Sequence, residues 1–337
     1  MSFEIPLGAT RFNSDSQKLE YWNGSAWYQV LTFSSDLNGG TRGCISMGGN
    51  VPAYPGTIEY ITIPTQGNAT DFGNQTDYRG TGAAVSSKIR GVWCGGYSPG
   101  PDLDIDFVTF STTGNATDFG DMAYSAFAVQ GLSNSTRGLM IGGSPTNSSS
   151  NGVNTINYIT ISTTGNAKDF GDMNTTFYGA DGGGCNGLRG VVVNGRQGSS
   201  VVNNISFLTV STLGNASDFG DVTGTVADNE MATSSSTRMV IAGGSTPSKI
   251  TRISRLEMAT TGNTTAFGDL ATGTSNGFGT SDCIRAVFGG GTQPGQNNTI
   301  EFVSIATGGK ANDFGDLTSN NRSDGMRACS NGHGGLK

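Results

Sequence analysis

The 337-residue sequence predicts an all-β fold in which one four-stranded unit recurs six times, and three observations predict it. Glycine occurs 54 times, about one residue in six against a usual share near 7%, so the chain is rich in turns. A phrase of the form Thr-Thr-Gly-Asn-Ala-Thr-Asp-Phe-Gly-Asp recurs with its Phe at positions 72, 119, 170, 219, 267 and 314, spaced 47 to 51 residues apart. No stretch sustains a 3.6-residue apolar period, so α-helix is expected to be nearly absent. A period of 40 to 50 residues holding four strands is the signature of β-propeller blades, and six copies predict a six-bladed β-propeller. The expected boundaries are 1–36 for a separate N-terminal β arm and 37–337 for the propeller.

The arm comes first. Residues 9–13, 18–22 and 25–30 read as three short strands in a meander, the last two joined at Asn23-Gly24, and Asn-Gly between alternating runs is the strongest short hairpin signal. Within each repeat, a strand opens at Arg42, Arg90, Arg137, Arg189, Arg238 and Arg285, and several of these run into a double glycine, as in 91–96 and 239–244. A third strand follows, with β-branched and aromatic residues, as in Tyr60-Ile61-Thr62-Ile63 and Phe207-Leu208-Thr209-Val210. The Asp-Phe-Gly phrase is the fourth, and the segments at 82–86 and 126–129 supply the first strand of the next unit. The chain enters at a second strand, Arg42 to Gly49, and leaves after a lone first strand near 326–331. The terminal strands are therefore expected to close one blade, with Cys44 and Cys329 on neighbouring strands and no unpaired edge at the joint.

Composition excludes several functions. Lys and Arg number 19 against 26 Asp and Glu, a formal charge of −7, and no cluster of basic residues exists to displace counterions from nucleic acid. Apolar runs such as Val191-Val192-Val193 fall far short of the ~20 residues of a membrane helix, and the N-terminus lacks a signal-peptide pattern. No nucleic-acid partner and no membrane insertion are expected. The five cysteines, Cys44, Cys94, Cys185, Cys283 and Cys329, are odd in number and widely spaced, and are expected to be reduced and buried.

The chemical motifs fail on mechanism. Gly96-Tyr97-Ser98-Pro99-Gly100 fits the Gly-x-Ser-x-Gly pattern of hydrolases, but Pro99 has no N–H to serve an oxyanion and no helix is expected to follow. The single histidine, His333, cannot build a multi-histidine metal site, and no Cys-x-x-Cys is present. Residues 182–187 match Gly-x-Gly-x-x-Gly without a helix to receive a phosphate. Calcium binding by the paired carboxylates of Asp118-Phe119-Gly120-Asp121 competes with a turn role, and the turn is favoured because Ala266 and Asn74 replace an Asp in two copies. The six arginines are expected to pair with those Asp residues or with carbonyls at a blade edge, and the repeated Phe to wedge between blades. No enzyme activity, cofactor or metal is expected.

Function is expected where repeats differ, in the loops 50–57, 97–106, 144–155, 196–204, 245–250 and 292–298. Among these, Tyr54, Tyr97, Asp102 and Asp104 offer aromatic faces and acceptors suited to a glycan. In the arm, Tyr21, Trp22 and Trp27 are candidates for attachment to a neighbouring protein, the alternative being a small satellite core. The double glycines and strand pattern resemble kelch-type repeats, although the kelch Tyr and Trp are missing and Trp93 is the one Trp in a repeat strand. Residues 6–27 resemble a module of bacteriophage tail and fibre proteins, and the Gly-Asn-Ala-Thr-Asp-Phe-Gly-Asp phrase is similar to repeats in virion structural proteins of marine cyanophages. Those resemblances imply a virion component, assembled in the host cytoplasm and present in multiple copies per particle. Its partners would be other tail, fibre or capsid proteins and a host surface polysaccharide or receptor. The alternative is a purely structural or decorating protein with no receptor role.

Overall fold

The computed structural model describes residues 5–13, 18–29, 41–48, 56–148, 151–179, 182–193, 195–224, 227–293, 295, 297–319 and 325–336. The fold is all-β: its sheets are antiparallel apart from one short parallel pairing, of Thr265–Asp269 with Gly309–Lys310, and among the described residues there is a single 3₁₀ turn at Gly334–Leu336 and no α-helix. The chain divides into two compact units, Met1–Leu37 and Asn38–Lys337.

The first unit is a three-stranded meander, Thr10–Asn13, Lys18–Trp22 and Trp27–Gln29, turned at Gly24 with φ +100°. Trp22 lies opposite Trp27 and Tyr21 opposite Tyr28, so the two pairs occupy opposite faces.

The second unit holds six successive sheets of one pattern. In the second sheet the strands are Ala83–Ser86, Arg90–Tyr97, Pro101–Thr109 and Thr117–Ala126, paired in that order. The first sheet is assembled from both ends of this unit: Arg327–Ser330 pairs antiparallel with Arg42–Ser46, Cys329 opposite Cys44, and Thr57–Thr62 and Thr70–Asn74 follow. The joint expected from sequence is thus observed. One strand was misplaced by the sequence reading: the first strand of the third sheet is Gln130–Ser133, not 126–129. Ala128 takes φ +55°, a left-handed conformation that ends the extended run, and Thr81, Asn229 and Asn276 do the same at equivalent positions.

Each repeated residue type joins a sheet to the next one, and the sixth to the first. Arg42 Nη1 donates to Phe110 O, Arg90 to Ile161 O, Arg137 to Val210 O, Arg189 to Met258 O, Arg238 to Ile305 O and Arg285 to Ile63 O, at 2.7–3.2 Å. These acceptors are carbonyls, not the Asp side chains considered above. Five of the six guanidinium groups also lie over an aromatic ring of their own sheet, Tyr60, Phe107, Tyr158, Phe207 or Phe302, at 4.5–5.1 Å. In the fifth sheet Arg255 replaces that aromatic, and Glu257 accepts from both Arg238 and Arg255.

The Phe-Gly phrase works the same way. Phe72 packs with Val108 and Phe110 of the second sheet, Phe119 with Ile159 and Ile161 of the third, and Phe314 with Ile61 and Ile63 of the first. Backbone N–H groups reach back across the same interface: Gly114 N donates to Phe72 O, Gly165 N to Phe119 O and Gly67 N to Phe314 O. The Asn of the phrase accepts from the preceding sheet, Asn115 Oδ1 from Asn74 N, Asn166 Oδ1 from Asp121 N and Asn68 Oδ1 from Asp316 N. Glycine is required because the backbones nearly touch: a Cβ on Gly73, whose φ is +147°, would stand 2.3 Å from Gly114 O. The phrase is a latch made of backbone and Asn amides, and the expected turn is instead an edge strand, since Thr70–Asn74 and Thr117–Ala126 are both extended.

The inner strands line a cavity of about 90 Å³. At the end where these strands finish, Ser133 Oγ donates to Ser86 O, Ser86 Oγ to Ser330 O, Ser330 Oγ to Ser281 O, Ser281 Oγ to Ser234 O and Ser234 Oγ to Cys185 O. Cys185 interrupts the series, and the 333–336 segment packs there, Gly334 against Cys185 O and Gly335 against Ser133 O. Four cysteines are buried and all five are free thiols. Cys283, expected to be buried, is only half-buried, in a turn where its φ is +72°.

Candidate functional site

The connections from second to third strands lie at the sheet ends opposite the serine series, and at the second sheet three carboxylates gather there. The connection expected at 97–106 is much shorter: Pro101–Thr109 is already a strand, so only Ser98, Pro99 and Gly100 form the turn. Asp102 and Asp104 therefore sit on a rigid strand with their carboxylates on one face, two residues apart. Asp77, from the connection leaving the first sheet, joins them, and oxygens of all three carboxylates lie within 4.8 Å of one another.

Beneath them lies a buried ion pair. Arg79 Nη2 donates to Asp106 Oδ1 at 2.7 Å, with both side chains almost wholly enclosed, and Thr76 N and Oγ1 donate to Asp106 Oδ2. Arg79 Nη1 stands 4.0 Å from Asp104 Oδ2. Burial pushes the Asp106 carboxyl up, with Arg79 opposing. Partial burial, and then the negative charge of Asp102, raise Asp104 as well, again against Arg79. The site is thus rich in acceptors above a single cation already engaged below it, an arrangement that takes hydrogen bonds from hydroxyl groups. Tyr78, 61% exposed and adjacent to Asp77, supplies an aromatic face.

The structure brings Asp102 and Asp104 together but not the whole predicted set. Tyr97 is turned onto Phe127, ring centroids 5.5 Å apart and edge-on, and serves packing. Tyr54 lies outside the described residues. Asp77, Tyr78 and Arg79 were missed, although the run Asp-Tyr-Arg after the Phe-Gly phrase is peculiar to the first repeat.

A second charged group occupies the same end of the fourth and fifth sheets. Arg196 Nε pairs with Asp228 and Arg252 Nη2 with Glu230, each at 2.5 Å. Burial raises Glu230 to about 7, opposed by Arg252.

Neither Ser98 nor Ser133 is placed to act as a nucleophile. Ser98 is in a hairpin turn between antiparallel strands, its N–H donating to Gly100 O. Ser133 Oγ is 3.3 Å from His333 Nε2, but His333 Nδ1 accepts from Gly335 N. A neutral imidazole accepting at Nδ1 carries its proton on Nε2, so it cannot take one from Ser133.

In the N-terminal unit the attachment candidates separate. Trp22 and Trp27 are half-buried against each other at 5.5 Å, with the Arg11 guanidinium 4.3 Å over Trp27. Tyr21 stands on the other face with Phe12, Leu19 and Tyr28, where relative exposures run from 41% to 67%. Phe12 pairs with Leu19 and Tyr21 with Tyr28 directly across the strands, which makes a continuous apolar face. Hydrogen bonds from Asn13 and Arg11 hold the Glu20 carboxyl below its ordinary range on the tryptophan side.

Compared with family models and with curated proteins, the chain matches none. Among the described residues no helix is long and apolar enough to cross a membrane.

Proposed function

We propose that this chain is a non-enzymatic structural protein of a bacteriophage particle: a six-bladed, kelch-like propeller that binds neutral surface glycan, carried by an N-terminal attachment arm. The propeller reading is supported by arginine contacts, Phe wedges and backbone latches that each run from sheet to sheet and return from the sixth to the first. The virion reading rests on the likeness of residues 6–27 and of the repeated phrase to phage tail, fibre and virion proteins. The glycan reading is carried by one observation, the convergence of Asp77, Asp102 and Asp104 beside exposed Tyr78. Carboxylates accept from sugar hydroxyls while an aromatic face stacks on the ring, and the excess negative charge disfavours acidic sugars.

A glycan array and intact host cells test the reading. Full-length protein is expected to retain neutral glycans and to bind cells, and Asp102→Asn with Asp104→Asn is expected to weaken both at unchanged thermal stability. Failure of the unaltered protein to bind either overturns it.

The alternative, a decorating role without a receptor, is favoured by the apolar face of Phe12, Leu19, Tyr21 and Tyr28. It predicts that Phe12→Ser with Tyr28→Ser abolishes incorporation into particles while cell binding by purified protein is never seen.

A further inference from the structure

We propose that Cys44 and Cys329 are the site of a reversible cross-strand disulfide that ties the last strand covalently to the first sheet. Cys329 lies directly opposite Cys44 in the antiparallel pair of Arg327–Ser330 with Arg42–Ser46. Asn331 N donates to Arg42 O, and counting back two positions makes Cys329 and Cys44 a hydrogen-bonded pair as well. Such pairs hold their Cα atoms about 5.5 Å apart, inside the range of about 4.4–6.8 Å that disulfides bridge, and the two Cβ atoms must draw in to about 3.5–4.5 Å as the bond forms. Directly opposed residues project to one face, and both side chains belong to the same buried cluster, with Phe72, Trp93 and Val108. No other cysteine faces a cysteine in the strand registers: Cys94 pairs with Ala83 and Ile105, and Cys185 with Gly190.

The oxidant would be a low-molecular-weight disulfide such as glutathione disulfide. One protein thiolate attacks a glutathione sulfur and releases a glutathione thiolate. The second protein thiolate attacks the mixed disulfide and releases the other, and the two thiol protons pass to the two glutathiones. One disulfide is reduced as one forms.

Both thiols are buried, and burial raises Cys329 to about 12 and pushes Cys44 well up too, so exchange must wait for the seam to open. The strand Arg327–Ser330 is only four residues long, so few ladder hydrogen bonds must break for it to open. The covalent tie would hold shut the one sheet whose strands come from opposite ends of the unit.

The test is to incubate full-length folded protein with glutathione disulfide, then measure intact mass, a non-reducing peptide map and the thermal midpoint. The expected result is a loss of two hydrogens, a peptide joining residues 44 and 329, and a midpoint several degrees higher, all reversed by dithiothreitol. The rate should level off at high oxidant, because strand opening becomes limiting. Cys283→Ser should keep the link, and Cys329→Ser should lose it. Glutathione adducts alone, a link through Cys94 or Cys185, or no reaction even near the thermal transition would overturn the proposal. The peptide map of the unaltered protein decides the matter even where the Ser variant folds poorly.

Discussion

The glycine that follows four of the six interfacial arginines can be tested by filling its space. A Cβ on Gly138 would stand 2.5 Å from Val85 Cγ2 and 3.0 Å from Val85 Cβ of the preceding sheet, where carbon atoms need about 3.5–4.0 Å. Gly138 is not among the glycines with positive φ, so Gly138→Ala tests packing alone. Val85 is β-branched and buried on a strand, so it cannot rotate out of the way. Overpacking of this kind costs about 1–3 kcal/mol. Val85→Ala alone removes two methyl groups and leaves a cavity, a loss of about 2–3 kcal/mol. In the double variant the new methyl occupies part of the vacated space, so the combined loss should fall short of the sum by about 1–2 kcal/mol. Urea denaturation followed by circular dichroism, with the slope checked for constancy, measures all three. Strict additivity, or a Gly138→Ala midpoint equal to that of the parent, would refute the size-matching argument. Gly190 offers an independent repeat, since its Cβ would meet Leu132 Cδ1 at 2.8 Å.

Two further outcomes follow from the same interfaces and from the tail. Phe119→Ala should cost about 3–5 kcal/mol because the ring is fully enclosed, whereas Phe267→Ala should cost clearly less because that ring is only half-buried; equal losses by denaturant titration would count against the wedge role. Burial lowers His333 from 6.5 to about 4, so between those pH values the unfolded chain takes up a proton that the folded chain refuses. Stability should therefore fall as pH drops through that window, by up to about 3 kcal/mol from this residue. Glu230, raised from 4.5 to about 7, acts in the opposite sense between those values. His333→Gln should flatten the acid-side loss relative to the parent, and an unchanged slope from pH 7 to 4 would show that the imidazole is not held neutral.

The repeat, its strand order and the terminal joint were legible because the Phe-Gly and Arg phrases recur at nearly constant spacing and the chain begins and ends inside a unit. The 126–129 error arose because the left-handed position is filled by Thr81, Ala128, Asn229 and Asn276, which share no side-chain chemistry to read. The candidate site was half legible. Asp102 and Asp104 are neighbours in sequence, but Asp77 lies 25 residues before Asp102, in the connection between the first and second sheets, and only the fold brings it to them. Trp22 and Trp27 drew notice as large aromatics, yet strand alternation put Phe12, Leu19, Tyr21 and Tyr28 on the exposed face. The arginine partners were undecidable in sequence because backbone carbonyls carry no residue identity.

Departures from the repeat also warn against reading every difference as function. Where the inner strand of the fourth sheet carries Gly184 in place of the Val85 or Leu132 type of residue, the next sheet carries Met239 in place of glycine, and a Cβ on Gly184 would meet Met239 Cγ at 3.1 Å. The loss of volume on one side is thus matched by a gain on the other. Cys185 breaks the serine series at the place where Gly334 packs against its carbonyl. Arg255 displaces the stacking aromatic of the fifth sheet, and Glu257 then holds Arg238 in its stead. These exceptions fall in the fourth and fifth sheets, and each has its compensation within contact distance, so they serve packing. Asp77, Tyr78 and Arg79 differ in kind: Arg79 is answered by Asp106 below, while nothing in the repeat pattern requires three carboxylates above it. A residue set that departs from the repeat without a packing counterpart is the stronger sign of a ligand, and on that criterion the second sheet, rather than the more irregular fourth and fifth, is the place to look.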